Sequence, residues 1–272
     1  MITLGSPGAE KVWPMARRVL QPLDMSMTSD SRPHAIPLER MTTGDLLSCV
    51  EPFTAARPAE IEILAQSAVR IRKAAGAPIV EEGHAPDGVY IVLRGRVNLV
   101  RAGAGHRDLI LMTLGPGDVL GETCAFDRSI QATAAFAAVP VELLRIPADV
   151  LAAHLRREPE SMMRLMQLMV DKLRDIEGVA SSLALYDVEE RLRRTLVRLA
   201  QRQGRRASTS PVAGAPGGWI LAPVPTQSEL ARMVGSCRET VSRTLSAMAR
   251  DGLVSSSGRR MILDPRMLGE AA

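Results

Sequence analysis

The run Thr226-Gln-Ser-Glu-Leu-Ala-Arg-Met-Val-Gly-Ser-Cys-Arg-Glu-Thr-Val-Ser-Arg243 constrains the fold more than any other part of this chain. Thr226 and Glu229 have the spacing of a capping box, in which two side chains satisfy orphan amides at a helix start. Leu230 and Val234 follow as an apolar stripe at i, i+4, and Gly235 permits a tight turn. In the next stretch Val241, Leu245 and Met248 recur at i, i+4, i+7 and are expected to pack inward. Arg238, Glu239, Ser242 and Arg243 are left on the outer face near a helix N-terminus. The pattern predicts a helix-turn-helix whose second helix can enter a DNA major groove.

The side chains suit that placement. Arginine can donate two hydrogen bonds to guanine, glutamate can accept one from cytosine, and a good bidentate contact discriminates by roughly 1–3 kcal/mol. Thr226, Gln227 and Ser236, at the two helix starts, complete the predicted DNA face. Ser236 and Glu239 also have capping-box spacing, so Glu239 has a second reading as a residue that closes its own helix.

Charge is distributed accordingly. The 272-residue chain has a net charge of +4, yet from Asp187 onward fourteen arginines, no lysines and eight acids give +6, leaving about −2 for the rest. A basic C-terminal domain suits phosphate contacts, for which arginine has the better geometry. The length allows two domains with separate cores. Cys49, Cys124 and Cys237 are an odd, widely spaced set without a Cys-x-x-Cys pair, which argues for a reducing cytoplasm and against disulfides or zinc. With four scattered histidines, neither a metal site nor a catalytic constellation is expected. No apolar run approaches the ~18 residues of a membrane helix, and the N-terminus lacks an apolar signal core. A cytoplasmic protein without a membrane partner is the expectation.

Along the chain, residues 1–42 read as a flexible arm, with Met25, Met27 and Met41 as alternative starts. A helical pattern runs from about Thr43 to Arg70. Between Ile71 and Ile146 short β-rich runs alternate with glycine turns, for example Val89–Leu93, Arg94–Arg101, Leu109–Leu114 and Val141–Ile146, which indicates a small barrel or sandwich. Helical texture returns at Pro147. Met162, Met166, Met169, Leu173, Ile176, Ala180 and Leu183 then step by 4, 3, 4, 3, 4, 3, a heptad seam on which two copies could supercoil. Gly178 interrupts it at a cost in helix stability. Asp187 reads as a fresh N-cap with Glu190 as its reciprocal partner. Residues 203–217 read as a loop, and Leu253–Leu263 as a hairpin with Arg259 and Arg260 near its tip.

Gly76, Glu82-Gly83, Tyr90-Ile91, Gly95-Arg-Val97, Gly117-Asp-Val-Leu-Gly-Glu122, Leu183-Ala-Leu-Tyr-Asp-Val188 and Arg238-Glu-Thr-Val-Ser-Arg243 occur in an order that resembles the cAMP receptor protein/FNR family of bacterial transcription regulators. The resemblance covers about residues 44–268. It implies an α+β chain: a double-stranded β-roll sensor over 43–155, a long dimerisation helix over 156–186, and a winged helix-turn-helix over 187–272. Arg238, Glu239 and Arg243 would read bases, Ser242 falls at a position some members use, and Arg259 and Arg260 would sit on the wing. The implied partners are double-stranded DNA with palindromic TGTGA-like or TTGAT-like arms, a second copy of the chain, and RNA polymerase. Half-sites would lie about 34–36 Å apart.

The effector pocket departs from the family pattern. The Arg-Ser pair that grips the cyclic phosphate in cAMP-binding members falls on Gln131-Ala132, which supplies no positive charge, and a charge-assisted contact is about twice as strong as a neutral one. Arg128-Ser129 lies three residues early and would serve only in a rearranged pocket. The positions that hold adenine fall near Ile176 and Glu177. Gly121 and Glu122, a ribose contact in the family, are retained. Ordinary cAMP control is therefore not expected, and no cofactor is assigned. His84, His106 and His154 are expected to be exposed rather than haem ligands. Cys237, at a helix N-terminus beside Arg238, has a redox reading beside the plainer one of a packing residue. A cyclic-nucleotide-gated regulator with a rearranged pocket is one alternative. A cyclic-nucleotide-binding regulatory subunit, or an enzyme built on a cupin-type barrel, would leave the helix-turn-helix without a use.

Overall fold

The computed structural model describes residues 41–103, 108–127, 130–206 and 218–268. Two four-stranded antiparallel sheets form the N-terminal half. One has the order β1 (Val69–Lys73), β8 (Val141–Pro147), β3 (Gly88–Arg94), β6 (Val119–Leu120); the other has β2 (Pro78–Val80), β7 (Ala134–Ala137), β4 (Val97–Arg101), β5 (Leu109–Leu114). β3 is buried along nearly its whole length because both its faces are covered. Successive strand residues point to opposite faces. Tyr90 and Val92 join Val97, Met112, Leu120 and Leu143 inside the roll, while Val89, Ile91 and Leu93 pack outward on helices.

Those helices are α1 (Thr43–Cys49), α2 (Pro58–Ser67), α3 (Ala148–Arg157) and the start of α4 (Pro159–Leu185). The helical pattern expected over Thr43–Arg70 is thus broken in two, with a short 3-10 turn at Phe53–Ala55, and ends where β1 begins. Pro52 and Pro58 explain the break, since proline cannot donate to a continuing helix. His154, expected at the surface, is fully buried on α3. Its Nδ1 lies 3.4 Å from Glu60, which Arg157 also engages at 2.7 Å, and its ring packs against Phe53.

α4 is 27 residues long, about 40 Å at the usual helical rise. Leu165 and Leu168 pack into the apolar cluster of the helices and β3, and Val179 is buried as well. Met163, Met166, Val170, Leu173, Ile176 and Leu185 are 40–73% exposed along the same helix. The predicted heptad residues therefore divide. Met166, Leu173, Ile176 and Ala180 are exposed, Met162 packs against the helical core, and Met169 is half-buried. Leu183 reaches the C-terminal domain, where its Cδ2 lies 2.9 Å from the place a Cβ on Gly235 would occupy. Around Gly178 there is open space.

After Tyr186 the chain restarts as α5 (Val188–Gln203), capped by Asp187 accepting from the Glu190 amide. Glu190 does not reciprocate; its carboxylate goes to Arg193 and Arg194, both at 2.7 Å. The C-terminal domain adds α6 (Gln227–Val234), α7 (Arg238–Arg250) and a sheet of order β11 (Val254–Ser257), β12 (Arg260–Leu263), β10 (Trp219–Leu221), β9 (Arg205–Arg206). Its core is not fully separate from the roll. Val100 and Ile110 of the second sheet join Leu192, Leu196, Leu230 and Met233 in one apolar cluster. Of the expected loop over 203–217, residues 207–217 lie outside the described residues.

Candidate nucleic-acid interface and effector cavity

α6 and α7 derive their angle from local chemistry. Thr226 Oγ1 accepts from the Glu229 amide, and Glu229 Oε2 accepts from the Thr226 amide at 2.8 Å, so the capping box is complete. The helix ends at Gly235 with φ 60° and ψ 47°, a left-handed conformation that glycine adopts without strain. Leu230, Met233 and Val234 on α6 and Val241 and Met248 on α7 are buried, with Leu245 partly so. Packing those residues inward leaves Arg238, Glu239 and Arg243 exposed and Ser242 half-buried on the far side.

The N-cap of α7 is Cys237, and it makes no side-chain capping bond. The capping box read for Ser236 and Glu239 is therefore absent, because Ser236 lies one residue outside the helix boundary. Glu239 is held below the usual carboxylate range chiefly by a backbone amide at the helix start, and also by the Cys237 thiol. The Cys237 Sγ is exposed and lies 3.1 Å from Thr240 Oγ1. Thr226 and Gln227 are exposed at the start of α6. In the β11–β12 hairpin Gly258 takes φ 57°, and the Val224 amide donates to the Arg259 carbonyl at 2.8 Å. That bond ties the hairpin tip to the segment leading into α6, and the Arg259 and Arg260 side chains are exposed.

A cavity of about 450 Å³ lies between the roll and α4. Gly121, Glu122 and Gln131 line it, as do Met169, Leu173 and Ile176. Gly121 has φ 78°, and a Cβ there would meet the Gly88 carbonyl at 2.6 Å, so the turn itself demands glycine. Glu122 accepts from Lys172 Nζ at 2.7 Å, and the same ammonium donates to the Val119 carbonyl at 2.6 Å. Gln131 Nε2 donates to Thr123 Oγ1 at 2.7 Å. Ala132 contributes its carbonyl to Arg101. Arg128 and Ser129 lie outside the described residues.

Two family models match, in the order of the two halves: a cyclic nucleotide-binding domain over residues 70–158 and a Crp-like helix-turn-helix domain over 190–271. A CRP-like cAMP-activated global transcriptional regulator of Mycobacterium tuberculosis is 26% identical over 219 residues, 80% of this chain and 94% of that protein. A cyclic AMP receptor protein of Thermus thermophilus is 29% identical over 204 residues, 74% of this chain and 87% of that one. The structure of FixK2 from Bradyrhizobium japonicum, 22% identical, has a TM-score of 0.64 and covers 75% of this chain and 98% of its own, a likeness of fold. The chain belongs to the cAMP receptor protein/FNR family. It is a DNA-binding transcription regulator.

Within this family frame, the cavity holds a residue that the sequence reading missed. Lys172 comes from α4, fifty residues from Glu122, and is the one basic side chain among the described residues that line the cavity. Its position immediately before Leu173 of the heptad pattern was the available signal. Glu177, expected near an adenine, is exposed and does not line the cavity. Thr123 and Thr133 were also overlooked. Among the described residues no helix is long and apolar enough to cross a membrane.

Proposed function

We propose that this CRP/FNR-family regulator acts as a homodimer on a palindrome with TGTGA-like or TTGAT-like arms, without control by ordinary cAMP binding. The observation that carries DNA reading is the exposure of Arg238, Glu239 and Arg243 on a helix whose opposite face, Val241 and Met248, is buried. Ser242, Thr226, Gln227 and Ser236 flank that face, and Arg259 and Arg260 supply phosphate contacts from the wing. Pairing of two copies is supported by the exposed apolar side of α4, from Met163 to Leu185. Large contiguous apolar patches are uncommon on monomers. RNA polymerase is the expected protein partner, in the cytoplasm.

Against ordinary cAMP control stands the engagement of Glu122 by Lys172, together with Gln131 where the arginine of the phosphate-gripping pair would be needed. The alternative of a cyclic-nucleotide-gated regulator is favoured by the retained Gly121-Glu122 and by the printed names of the two relatives, which are cAMP proteins. A salt-controlled titration on both palindromes, with and without cAMP, separates the readings. Tight binding without nucleotide, lost in Arg243→Ala, is the expected result. Binding that appears only with cAMP would establish the alternative.

A further inference from the structure

We propose that the cavity between the roll and α4 takes an uncharged, predominantly apolar small molecule carrying one hydrogen-bonding head group. The proposal deepens the effector side of the reading above and rests on its placement of α4 as the paired helix.

Size and lining make the first half of the case. About 450 Å³ is within the range of small-molecule sites, roughly 300–1,000 Å³. Leu99, Met112 and Ala135 form the roll side, and Met169, Leu173 and Ile176 close it from α4. Glu122, Thr123, Gln131, Thr133 and Lys172 are the polar members of the lining, too few for all the sugar hydroxyls and phosphate oxygens of a nucleotide, part of whose polar surface would lie against apolar side chains. Polar groups left unpaired in such surroundings each carry a desolvation penalty.

Charge decides the second half. Lys172 and Glu122 neutralise each other at 2.7 Å, and their side chains are only 18% and 9% exposed. An anion in the cavity would lose its hydration beside the Glu122 carboxylate, and Lys172 is already bonded to that group. A buried charge without its own partner is costly. Hydrogen-bonding capacity remains. An ammonium has three donors, and Lys172 spends two on Glu122 and the Val119 carbonyl, so one is left for a ligand oxygen. Gln131 donates through Nε2 to Thr123 and keeps its carbonyl as an acceptor. A hydroxyl, which accepts from Lys172 and donates to Gln131, matches both.

The occupant would also touch residues that matter for assembly. Leu173 and Ile176 line the cavity and remain exposed on α4, within the predicted seam. A ligand that packs better against one placement of this helix than another shifts the population of helix pairings by that difference in affinity.

The test uses the full chain and three probes: 1-octanol, octanoate and cAMP, titrated calorimetrically and by thermal unfolding at pH 7 without DNA. Saturable binding of 1-octanol, roughly tenfold tighter than octanoate because the carboxylate must be desolvated, is expected. Ala135→Leu fills the roll side of the cavity and should abolish 1-octanol binding; Leu99→Phe does the same from a neighbouring strand should the first variant fold poorly. Tighter binding of octanoate or cAMP overturns the proposal, as does 1-octanol binding that survives both substitutions or is absent from the parent protein. Operator binding is measured separately, so failure of the DNA reading would be seen independently.

Discussion

Arg96 and Glu229 form an ion pair at 3.1 Å across the junction between the roll and the DNA-binding domain, with side chains 7% and 12% exposed. Asn98 also donates to Glu229, at 3.4 Å, and Thr113 donates to Asn98 at 2.9 Å, while Arg96 donates to the Pro223 carbonyl. Glu229 is at once the junction's acid and the capping residue of α6. Desolvation pushes its pKa up, but the Thr226 amide and the Arg96 charge outweigh that and hold it below the usual carboxylate value.

Glu229→Ala should therefore lose more stability than either role alone would suggest. Leaving one member of a buried pair uncompensated costs about 3–5 kcal/mol. Urea denaturation measures it. Combining Arg96→Met with Glu229→Leu should recover part of the loss, since an apolar replacement removes the stranded charge, but not the cap, about 1 kcal/mol. The contribution of a carboxylate with a lowered pKa is complete above its unfolded value and is lost as pH falls through the folded one. The penalty of the single variant should shrink with acid, and a penalty independent of pH would contradict the ionic assignment.

Glu190 gives a second pH window at the start of α5. Hydrogen bonds from Arg193, then Arg194, overcome desolvation and bring its pKa to about 2. The sign is the same: stabilisation is full above the ordinary value of 4.5 and disappears as pH falls towards about 2. Both arginines are more than a third exposed, so screening keeps the effect below about 1 kcal/mol. The stability difference between the parent and Glu190→Gln, followed by denaturation across pH 2–7, should close over that window.

Leu183 and Gly235 link the end of the long helix to the turn of the DNA-binding motif. A methyl at Gly235 would meet Leu183 Cδ2 at 2.9 Å and would impose a side chain on φ 60°. Gly235→Ala should cost about 1 kcal/mol from backbone conformation, plus whatever Leu183 must give. Pairing it with Leu183→Ala removes the contact but not the backbone term. A double-mutant cycle with no coupling would show that the two residues do not press on one another in solution.

The local parts of this fold were legible in sequence because their causes are local. Thr226 and Glu229 are three residues apart, Gly235 ends its own helix, and Val241 and Met248 share a helical period; each behaves in the structure as its spacing implied. The order of roll, long helix and winged motif followed from signatures such as Gly117–Glu122. What spacing could not show was pairing over long separations. Lys172 with Glu122 and Arg96 with Glu229 are set by how the domains dock, and so is the burial of His154 against Glu60. The heptad pattern was similarly incomplete. A period of 3.5 does not say which side of α4 the roll will claim, and Met162, Met169 and Leu183 are drawn towards the protein.

Leu173 tests that division. It is 56% exposed on α4, central in the predicted seam. Leu173→Glu would place a carboxylate opposite its copy in a paired helix, and like charges there oppose association. Sedimentation equilibrium should show a shift from dimer to monomer. A dimer that persists with unchanged affinity would move the interface elsewhere.

Base reading and phosphate contact can be told apart on the same operator. Arg238 lies at the N-terminus of α7, where a recognition helix meets base edges, whereas Arg259 lies at the hairpin tip beside Gly258. Arg238→Ala should cost roughly 1–3 kcal/mol per half-site on the cognate palindrome, about twice that for the dimer, and relax discrimination at one base pair per half-site. Arg259→Ala should weaken every sequence about equally. Each phosphate contact contributes about 0.9 to the slope of log affinity against log salt, so its loss from both half-sites of the dimer lowers the slope by about 1.8. Binding titrated from low to moderate salt, on the palindrome and on a variant with one base pair changed, reads both quantities. If Arg259→Ala altered discrimination while Arg238→Ala altered only the salt slope, the roles of recognition helix and wing would have to be exchanged.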